Sequence, residues 1–197
     1  MKLEHRVLEN DFVRLEPMED RHYEGLKAAG ADPAVFKLQP FNMAQGFDAY
    51  FAFIRGEQAA GRWMPHAVID PSGTVVGQSC YLNIRPEHSG VEIGGTWYRP
   101  ESQGTSINPA SKLLLFGHAF DSGAERVDQK TDALNARSRR AMEKMGAKFE
   151  GFHRHAIRRP DGTWRDNAWY SVLREEWPAV KAGLEARLAA YRSVASQ

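Results

Sequence analysis

The sequence predicts a mixed α/β domain of about seven strands, mostly antiparallel, flanked by about five helices. Apolar residues alternate with period two through the middle of the chain, and helical spacing governs segments on either side. Gly, Pro, Asn or Asp separates most segments from the next. The 197 residues, 42% hydrophobic and 26% charged, are enough for one sizeable core, so residues 1–197 are predicted to form a single domain.

The first sixty residues are predicted to be mainly helical. In the longer of the predicted helices, Tyr50, Phe51 and Ile54 recur at helical spacing. The predicted elements are, in order, a strand at 12–15, a helix at 21–29 capped by Asp20 and stopped by Gly30, a short helical piece opening at Asp32-Pro33, and a helix at 47–60 ending at Gly61.

The middle of the chain has the period of a strand. Val76, Cys80 and Ile84 lie on one side of such a strand and Val75 and Tyr81 on the other. Because the connections are short turns, we predict consecutive antiparallel strands at 63–69, 74–84 and 91–98, joined at 70–73 and 86–90.

Strand, loop and helix follow one another in the last hundred residues. The loop spans 99–107. The predicted elements are then a helix capped by Asn108 with Pro109 at its first position and Gly123 at its end, a strand at 126–131, a helix at 136–145 capped by Asn135 and stopped by Gly146, strands at 148–157 and 164–173 joined by Pro160-Asp161-Gly162, and a terminal helix at about 178–191 whose apolar stripe is Val180, Leu184, Leu188 and Tyr191.

Charge and cysteine content exclude several classes of protein. Twenty-six basic residues face 25 acidic ones, a net charge of +1, which argues against a protein that coats nucleic acid. Cys80 is the single cysteine and cannot form an internal disulfide, which is typical of a reducing compartment. Residues 1–10 lack the apolar core of a secretory signal, and no stretch is long and apolar enough to cross a bilayer. We expect a cytoplasmic protein that does not bind membranes.

The loop between the predicted strand at 91–98 and the following helix is a candidate anion site. Backbone N–H groups of such a loop, together with a helix N-terminus, bind phosphates. A plain strand-to-helix connection explains the same residues equally well. They are Gln103, Gly104, Thr105, Ser106, Ile107 and Asn108.

The helix after Asn135 carries three arginines in its first turns. Cations at that end oppose the helix macrodipole, so Arg137, Arg139 and Arg140 indicate either a nearby anionic ligand or a solvated basic face. Ser138 belongs to the inward side of this helix, where its hydroxyl can face a cleft or cap the backbone.

A carboxylate and two glycines lie in the predicted strand at 91–98. By alternation, Glu92 shares a face with Gly94, Thr96 and Tyr98. The pair Gly94-Gly95 indicates a bulge or a close backbone approach. A half-buried carboxylate there can act as a base, whereas a surface Glu is the commoner outcome.

Two other features have structural explanations. Cys80 lies in an apolar strand and reads as an inert core thiol. His153 and His155 are expected on one strand face, as two metal ligands are, but no third ligand accompanies them and no metal is predicted.

The order of these elements resembles the GCN5-related N-acetyltransferase (GNAT) superfamily, and within it the RimJ/RimL-like branch that acetylates ribosomal-protein alanine. The resemblance covers residues 11–177. It rests on the following segments: Glu92-Ile93-Gly94, Trp97-Tyr98, the loop from Gln103 to Asn108, Lys112-Leu113-Leu114-Leu115, Thr131, Asn135-Ala136-Arg137-Ser138, Met145-Gly146-Ala147, Asp161-Gly162 and Asp166.

The resemblance implies a sheet splayed between its fourth and fifth strands, with acetyl-CoA in the split. It implies pantetheine along the backbone of Thr96, Trp97 and Tyr98, and pyrophosphate at the loop from Gln103 to Asn108. It further implies that Asn135 contacts pantetheine and that Ser138 lies near the sulfur. We expect Arg140 to contribute to the same cofactor site.

The expected reaction is direct acetyl transfer to a primary amine. Glu92, through water, or alternatively His155, is the expected base, and Ser138 the expected acid. The sequence departs from the family pattern in two places: in the loop, where Ser106 and Asn108 stand at positions usually occupied by glycine, or by glycine or alanine at the second, and at Met142, where many relatives carry a tyrosine proton donor.

Three questions remain open at this stage. A non-catalytic module of the same fold that binds CoA or a partner, and an enzyme acylating a hydroxyl, are the alternatives. The acceptor is not identified: a protein N-terminus and a small-molecule amine are both compatible with the sequence, as are a monomer and a homodimer.

Overall fold

The computed structural model describes residues 1–41, 46–159 and 161–195. Within these ranges, one sheet has the strand order β1-β2-β3-β4-β5-β6-β8-β7. The strands are β1 (Leu8–Asn10), β2 (Val13–Pro17), β3 (Met64–Ile69), β4 (Val75–Arg85), β5 (Gly90–Tyr98), β6 (Arg126–Asp132), β7 (Lys148–Arg158) and β8 (Trp164–Leu173). The α-helices are α1 (Tyr23–Ala29), α2 (Gly46–Ala59), α3 (Ile107–Asp121), α4 (Ala136–Met145) and α5 (Trp177–Ala195).

The predicted antiparallel sheet and its split are both present. Neighbouring strands pair antiparallel except β5 and β6, which run parallel. Those two strands pair only from Gly90↔Arg126 to Glu92↔Asp128. Beyond that point β5 continues to Tyr98 and β6 to Asp132 without pairing to each other, so the sheet opens into a wedge. These two strands are the fourth and fifth of the sequence prediction, so the expected mixed α/β fold is confirmed.

Two hydrophobic clusters occupy the two faces of the sheet. One contains buried residues of α3, α4 and α5, including Leu115, Met145 and Leu184. The other contains buried residues of α1 and α2, including Leu26 and Ile54. Strand β5 contributes to both, since alternate side chains of a strand point to opposite faces. It therefore lies at the centre of the fold.

The helix ends agree with the sequence at α4 and differ at α1 and α3. Asn135 caps α4, accepting a hydrogen bond from the Ser138 N–H at 3.0 Å, and Gly146 ends it with φ +102°. A 3₁₀ turn precedes α1 with Glu19 as its N-cap, whose N–H donates to His22 Nδ1 at 3.0 Å, and Asp20 lies inside the turn with its carboxylate 3.2 Å from Arg55 Nε. Helix α3 begins at Ile107 with Ser106 as its N-cap, so Asn108 lies inside the helix and does not cap it.

Two further elements lie beyond what the pattern predicts. Strand β1, which pairs with β2, has three residues, too few to show alternation. Helix α5 extends past the predicted end to Ala195. Pro160, in the predicted turn between the last two strands, lies outside the described residues.

The stripe of α5 packs on the rest of the chain. Val180, Leu184 and Leu188 are 5%, 2% and 5% exposed. Replacing Leu184 by alanine removes a buried side chain and leaves a cavity, so we expect the free energy of unfolding to fall by about 2–5 kcal/mol. Urea denaturation measures this. Arg187→Ala, on the exposed face of the same helix, is the control and should stay within about 0.5 kcal/mol of the parent. Equal loss in both variants would show that the stripe does not stabilise the domain.

Candidate functional site

Unpaired backbone of β5 lines the wedge between β5 and β6. The Arg99 N–H donates to Val76 of β4 at 2.9 Å, so the N–H and C=O groups of Tyr98 and Thr96 point the other way, into the wedge. Two side-chain amides take the carbonyls: Gln39 Nε2 donates to Thr96 O at 2.9 Å and Gln103 Nε2 to Tyr98 O at 2.8 Å. The wedge is therefore a place where an amide-containing chain can pair with β5.

A bulge at Gly95 changes which side chains share a face. Gly95 has φ +57°, and the pairing of β4 with β5 shifts register between Gln78 and Cys80. Thr96 consequently faces α3. Glu92 faces the opposite side of the sheet. The expectation that Glu92 shares a face with Thr96 and Tyr98 is therefore wrong, because strict alternation fails at a bulge. The bulge expected from Gly94-Gly95 is present.

Glu92 is a buried carboxylate with one oxygen unused. The residue is 1% exposed. Its Oε2 accepts from Lys130 Nζ at 2.8 Å and Asn83 Nδ2 at 2.6 Å, whereas Oε1 is buried without a partner among the described residues. Gly94 makes room for it, since a Cβ there would lie 2.9 Å from Oε1. An acceptor oxygen buried without a partner is costly and marks a place for water or substrate.

The loop before α3 presents backbone donors. Gly104 has φ +79°, and the Thr105 hydroxyl binds the Ser102 carbonyl at 2.8 Å and the Ile107 N–H at 3.3 Å. Within the described part of the chain, the N–H groups of Gly104, Thr105 and Ser106 make no hydrogen bond. They lie at the positive end of α3, where an anion is stabilised.

Ser106 does not restrict this loop. Its φ of −66° and ψ of −18° lie in the right-handed helical region, which any L-residue adopts. Asn108 is the second residue of α3 and half-buried, and its side chain makes no hydrogen bond within the described ranges. Serine and asparagine at positions that the resemblance associates with glycine are therefore compatible with the loop conformation.

Three of the predicted cofactor residues have core side chains. Trp97 is 3% exposed and its Nε1 donates to the Tyr50 hydroxyl at 2.8 Å. Tyr98 and Ile107 are 6% and 7% exposed and pack in the cluster under α3. These three residues can contribute only backbone groups to the wedge.

Helix α4 forms the β6 side of the wedge. Because the Asn135 side-chain oxygen is occupied as the cap, only its amide nitrogen is available to a ligand. Ser138 is half-buried, and its hydroxyl makes no hydrogen bond within the described residues. The hydroxyl is therefore available to a group in the wedge.

The three arginines of α4 have different roles. Arg137 donates to the Gln103 side chain, so α4 and the loop before α3 are bridged across the wedge. Arg139 binds the Tyr170 hydroxyl at 3.1 Å and lies over Phe152, 5.3 Å from its ring centroid, which makes it structural. Arg140 is exposed and has no partner among the described residues. Only Arg137 and Arg140 remain available to an anion.

Sequence reasoning did not assign two contacts of the site. Lys112, part of an apolar stretch of α3, is 6% exposed and donates to Thr96 Oγ1 at 3.0 Å. Burial lowers the pKa of this amine to about 7. The Tyr191 hydroxyl of α5 binds the Gly104 carbonyl at 3.1 Å. A lysine among leucines was the signal for the first contact, and no local pattern predicts the second.

An open cavity of about 620 Å³ lies on the Glu92 face of the sheet. Its lining includes Asp128, His153 and Trp169. Lys130, the ion-pair partner of Glu92, lies 5.0 Å from the Trp169 ring centroid. The cavity thus adjoins the Glu92–Lys130 pair from the side opposite α3.

The two histidines of β7 do not share a face. His153 packs against Trp169 and His155 stacks on Trp164, and these tryptophans lie on opposite faces of β8. The register shift between His153 and Ile157 reverses the alternation, which corrects the sequence expectation. His155 is exposed on β7, three strands from β5 in the sheet.

In the described ranges, no group of three or more His, Cys, Asp or Glu side chains is placed to hold a metal. Among the helices that the structure describes, none is both long and apolar enough to span a membrane. Cys80 is a buried free thiol whose pKa is raised by burial.

Comparison with known proteins shows the family. The model of the acetyltransferase (GNAT) domain matches residues 13–148. The uncharacterized N-acetyltransferase YnaD of Bacillus subtilis (strain 168) is 26% identical over 150 residues, which are 75% of this chain and 85% of YnaD. A GCN5-related N-acetyltransferase from Brucella melitensis superposes with a TM-score of 0.87 at 30% identity, covering 94% of this chain and 86% of that one.

Mycobacterium smegmatis RimJ, whose structure was solved with CoA-disulfide, shares the fold. Its TM-score is 0.76 at 22% identity, over 92% of each chain. The wedge, the donor-lined loop before α3 and the matched family model agree, and the chain belongs to the GNAT acetyltransferase family.

Proposed function

We propose that this protein is an acetyl-CoA-dependent N-acetyltransferase of the RimJ/RimL-like branch that moves an acetyl group directly to a primary amine. One observation carries the proposal. The wedge of unpaired β5 backbone leads to three backbone donors at the start of α3. CoA is a chain with amide groups that ends in phosphates. Its amides can pair with the β5 backbone, and its phosphates can accept hydrogen bonds from the N–H groups before α3.

The residues of the wedge fit acetyl-CoA from end to end. The N–H groups of Gly104, Thr105 and Ser106 would hold the pyrophosphate, supported by Arg137 and Arg140. The β5 edge at Thr96 and Tyr98 would pair with the pantetheine amides. In the free protein, the side-chain amides of Gln39 and Gln103 donate to the carbonyls of that edge. The pantetheine amides would replace them as donors.

Glu92 is proposed as the base for the acceptor ammonium. Its unpartnered Oε1 is available to a water, and the cavity on the same face gives the acceptor an approach. Lys130 Nζ contacts the other oxygen, Oε2, at 2.8 Å, which fixes the carboxylate in place and leaves Oε1 for that water. His155 is less suited, because it is exposed on β7 and stacked on Trp164.

Ser138 is proposed as the acid. Its free hydroxyl at the start of α4 would donate to the sulfur as the thiolate leaves. Backbone N–H groups near the Gly95 bulge would stabilise the oxyanion of the tetrahedral intermediate. Holding the acceptor amine and the thioester in line and in contact would supply much of the rate.

The chain is further proposed to form one acetyltransferase domain, as a monomer or homodimer, in the cytoplasm. The cluster that joins Leu8 to Leu188 supports a single domain. The buried thiol of Cys80 is compatible with a reducing compartment.

Release of free thiol from acetyl-CoA tests the activity. The acceptor panel should contain peptides with free N-termini, amino acids, polyamines and an alcohol series. We expect thiol release with at least one amine and none with alcohols. Binding of acetyl-CoA without turnover on any acceptor would favour a non-catalytic CoA-binding module.

Glu92→Gln should lower kcat by about 10²–10⁴-fold, because the group moves a proton in the transition state. The loss should shrink at high pH, where more of the acceptor amine is already neutral. Steady-state kinetics with saturating acetyl-CoA measure it. Glu185→Gln, an exposed carboxylate of α5, is the matched control and should change kcat little. A normal kcat in Glu92→Gln would refute the assignment of the base.

Ser138→Ala should lower kcat by about 10²–10⁴-fold and leave acetyl-CoA affinity nearly unchanged, because proton donation matters only in the transition state. Folding should survive, since Asn135 still caps α4. Kinetics combined with direct binding measurements separate the two effects. Ser193→Ala on the exposed face of α5 is the control. An equal loss of affinity and of kcat/KM with unchanged kcat would mean that Ser138 only binds the cofactor.

Arg140→Glu should weaken acetyl-CoA binding by about threefold to thirtyfold at low salt, because it replaces an exposed cation beside the phosphates with a like charge. Added salt should reduce the difference. Titration calorimetry measures the affinity, with Arg187→Glu of α5 as the control for the change in net charge. Unchanged affinity at low salt would show that Arg140 is only a solvated surface residue.

A further inference from the structure

A buried amine without an acidic partner lies beneath the wedge. Lys112 Nζ donates to Thr96 Oγ1 at 3.0 Å, and that hydroxyl lies 2.7 Å from Ser79 Oγ. Among the described residues, no carboxylate is within ion-pair distance of the amine. A buried ammonium without a counter-ion is energetically unfavourable, so burial at this site disfavours the charged form of Lys112.

Helix geometry directs this amine toward the loop that presents backbone donors. Lys112 follows Ile107 by five residues, which places its Cα roughly 7.5 Å along α3 from the helix start. Long side chains on a helix lean toward its N-terminus. The amine therefore lies near the level of the first turn of α3, beside the β5 residue whose backbone lines the wedge.

The charged groups around the wedge do not stabilise the ammonium form. Among the described residues of β5 and β4, the amine has one hydrogen-bond partner, the Thr96 hydroxyl, which in turn contacts Ser79 Oγ. Glu92 and Lys130 pair with each other on the opposite face of the sheet. On α4, Arg137 is a like charge. The positive end of α3 also disfavours a cation. Burial is the cause of the lowered pKa, about 7, so Lys112 is mostly neutral at pH 8.

We propose that Lys112 is a cofactor-binding residue that takes up a proton when acetyl-CoA binds. The phosphates supply the negative charge that the buried amine lacks, and the ammonium form then becomes favourable. The inference rests on the proposed function and adds a residue and a proton to the binding step. It also explains why an amine occupies a position where an apolar side chain would pack at lower cost.

The proposal fixes the sign of the pH dependence. Below pH 7 the free protein already carries the proton, so binding takes up little. Above pH 7 each molecule that binds must take up a proton, so affinity should fall, by up to tenfold per pH unit. The fall should continue until the pH reaches the raised pKa of Lys112 in the complex.

Isothermal titration calorimetry in two buffers of different ionisation enthalpy counts the protons. Acetyl-CoA is the probe, because the free thiol of CoA titrates in the same range. The proteins are wild type, Lys112→Met and Lys144→Met, an exposed lysine of α4, at pH 6 and pH 8. Subtracting Lys112→Met removes the contribution of the phosphates, which titrate near pH 6.

At pH 8, wild type and Lys144→Met should take up close to one proton more per bound acetyl-CoA than Lys112→Met. At pH 6 the three should agree. Equal uptake in all three at pH 8, with acetyl-CoA bound, would overturn the role of Lys112 and leave the proposed function standing. Failure of wild type to bind acetyl-CoA at either pH would overturn both.

Folding of the variant has its own check. The folded pKa of Lys112 lies below the unfolded one, so between about pH 7 and pH 10 the unfolded chain binds more protons and stability rises with pH. Lys112→Met should lack this rise and be at least as stable as wild type at pH 7. If Lys112→Met does not fold, Lys112→Gln replaces it in the same titrations.

Discussion

The parting of β5 from β6 after Glu92 and Asp128 is the constraint on which the site depends. Backbone groups of a sheet need partners, and those of β5 beyond Glu92 that point toward β6 have no strand partner there. Contacts on both sides hold the two strands apart. Seven register pairs hold β6 to β8, from Arg126↔Leu173 to Asp132↔Asn167. On the other side, the Trp97 side chain fixes β5 to α2 through Tyr50. The side-chain amides of Gln39 and Gln103 donate to two of the β5 carbonyls that have no strand partner. The cleft is thus lined by sheet backbone without a neighbouring strand.

The two faces of β5 carry buried ionisable groups that differ in their partners. On one face Glu92 has a cation and an amide donor, and only one of its oxygens lacks a partner. On the other face Lys112 has the Thr96 hydroxyl and, among the residues that the structure describes, no counter-ion. The bulge at Gly95 produces this separation, because it sends Thr96 toward α3 while Glu92 stays with β6. A continuous strand would have placed Glu92 and Thr96 together. One irregular residue therefore places Glu92 and Lys112 on opposite sides of the strand.

Local patterns predicted what is encoded locally. Asn135 and Gly146 mark the ends of α4 because capping depends on a few neighbouring residues, and the alternation of β4 and β5 located the centre of the sheet. The face of Thr96 could not be predicted, since Gly94-Gly95 indicates a bulge without fixing which residue is inserted. The contacts of Lys112 with Thr96 and of Tyr191 with Gly104 join residues 16 and 87 positions apart, which no local pattern encodes. These residues are brought together by strand pairing and helix packing, which belong to the tertiary structure.

The loop before α3 shows why a departure from a family pattern need not change the site. A glycine is required only where φ is positive or a Cβ would clash. Gly104, with φ +79°, meets the first condition, and Ser106, already helical, meets neither. The donors of the loop are backbone groups, so the identity of the side chain at 106 leaves them in place. The Tyr191 hydroxyl of α5 binds the Gly104 carbonyl at 3.1 Å, and because a trans peptide is planar the Thr105 N–H points away from that hydroxyl. The conformation is therefore maintained by Gly104, by the distant Tyr191 hydroxyl and by the hydrogen bonds of the Gln103 and Thr105 side chains, whereas the side chain at position 106 can vary.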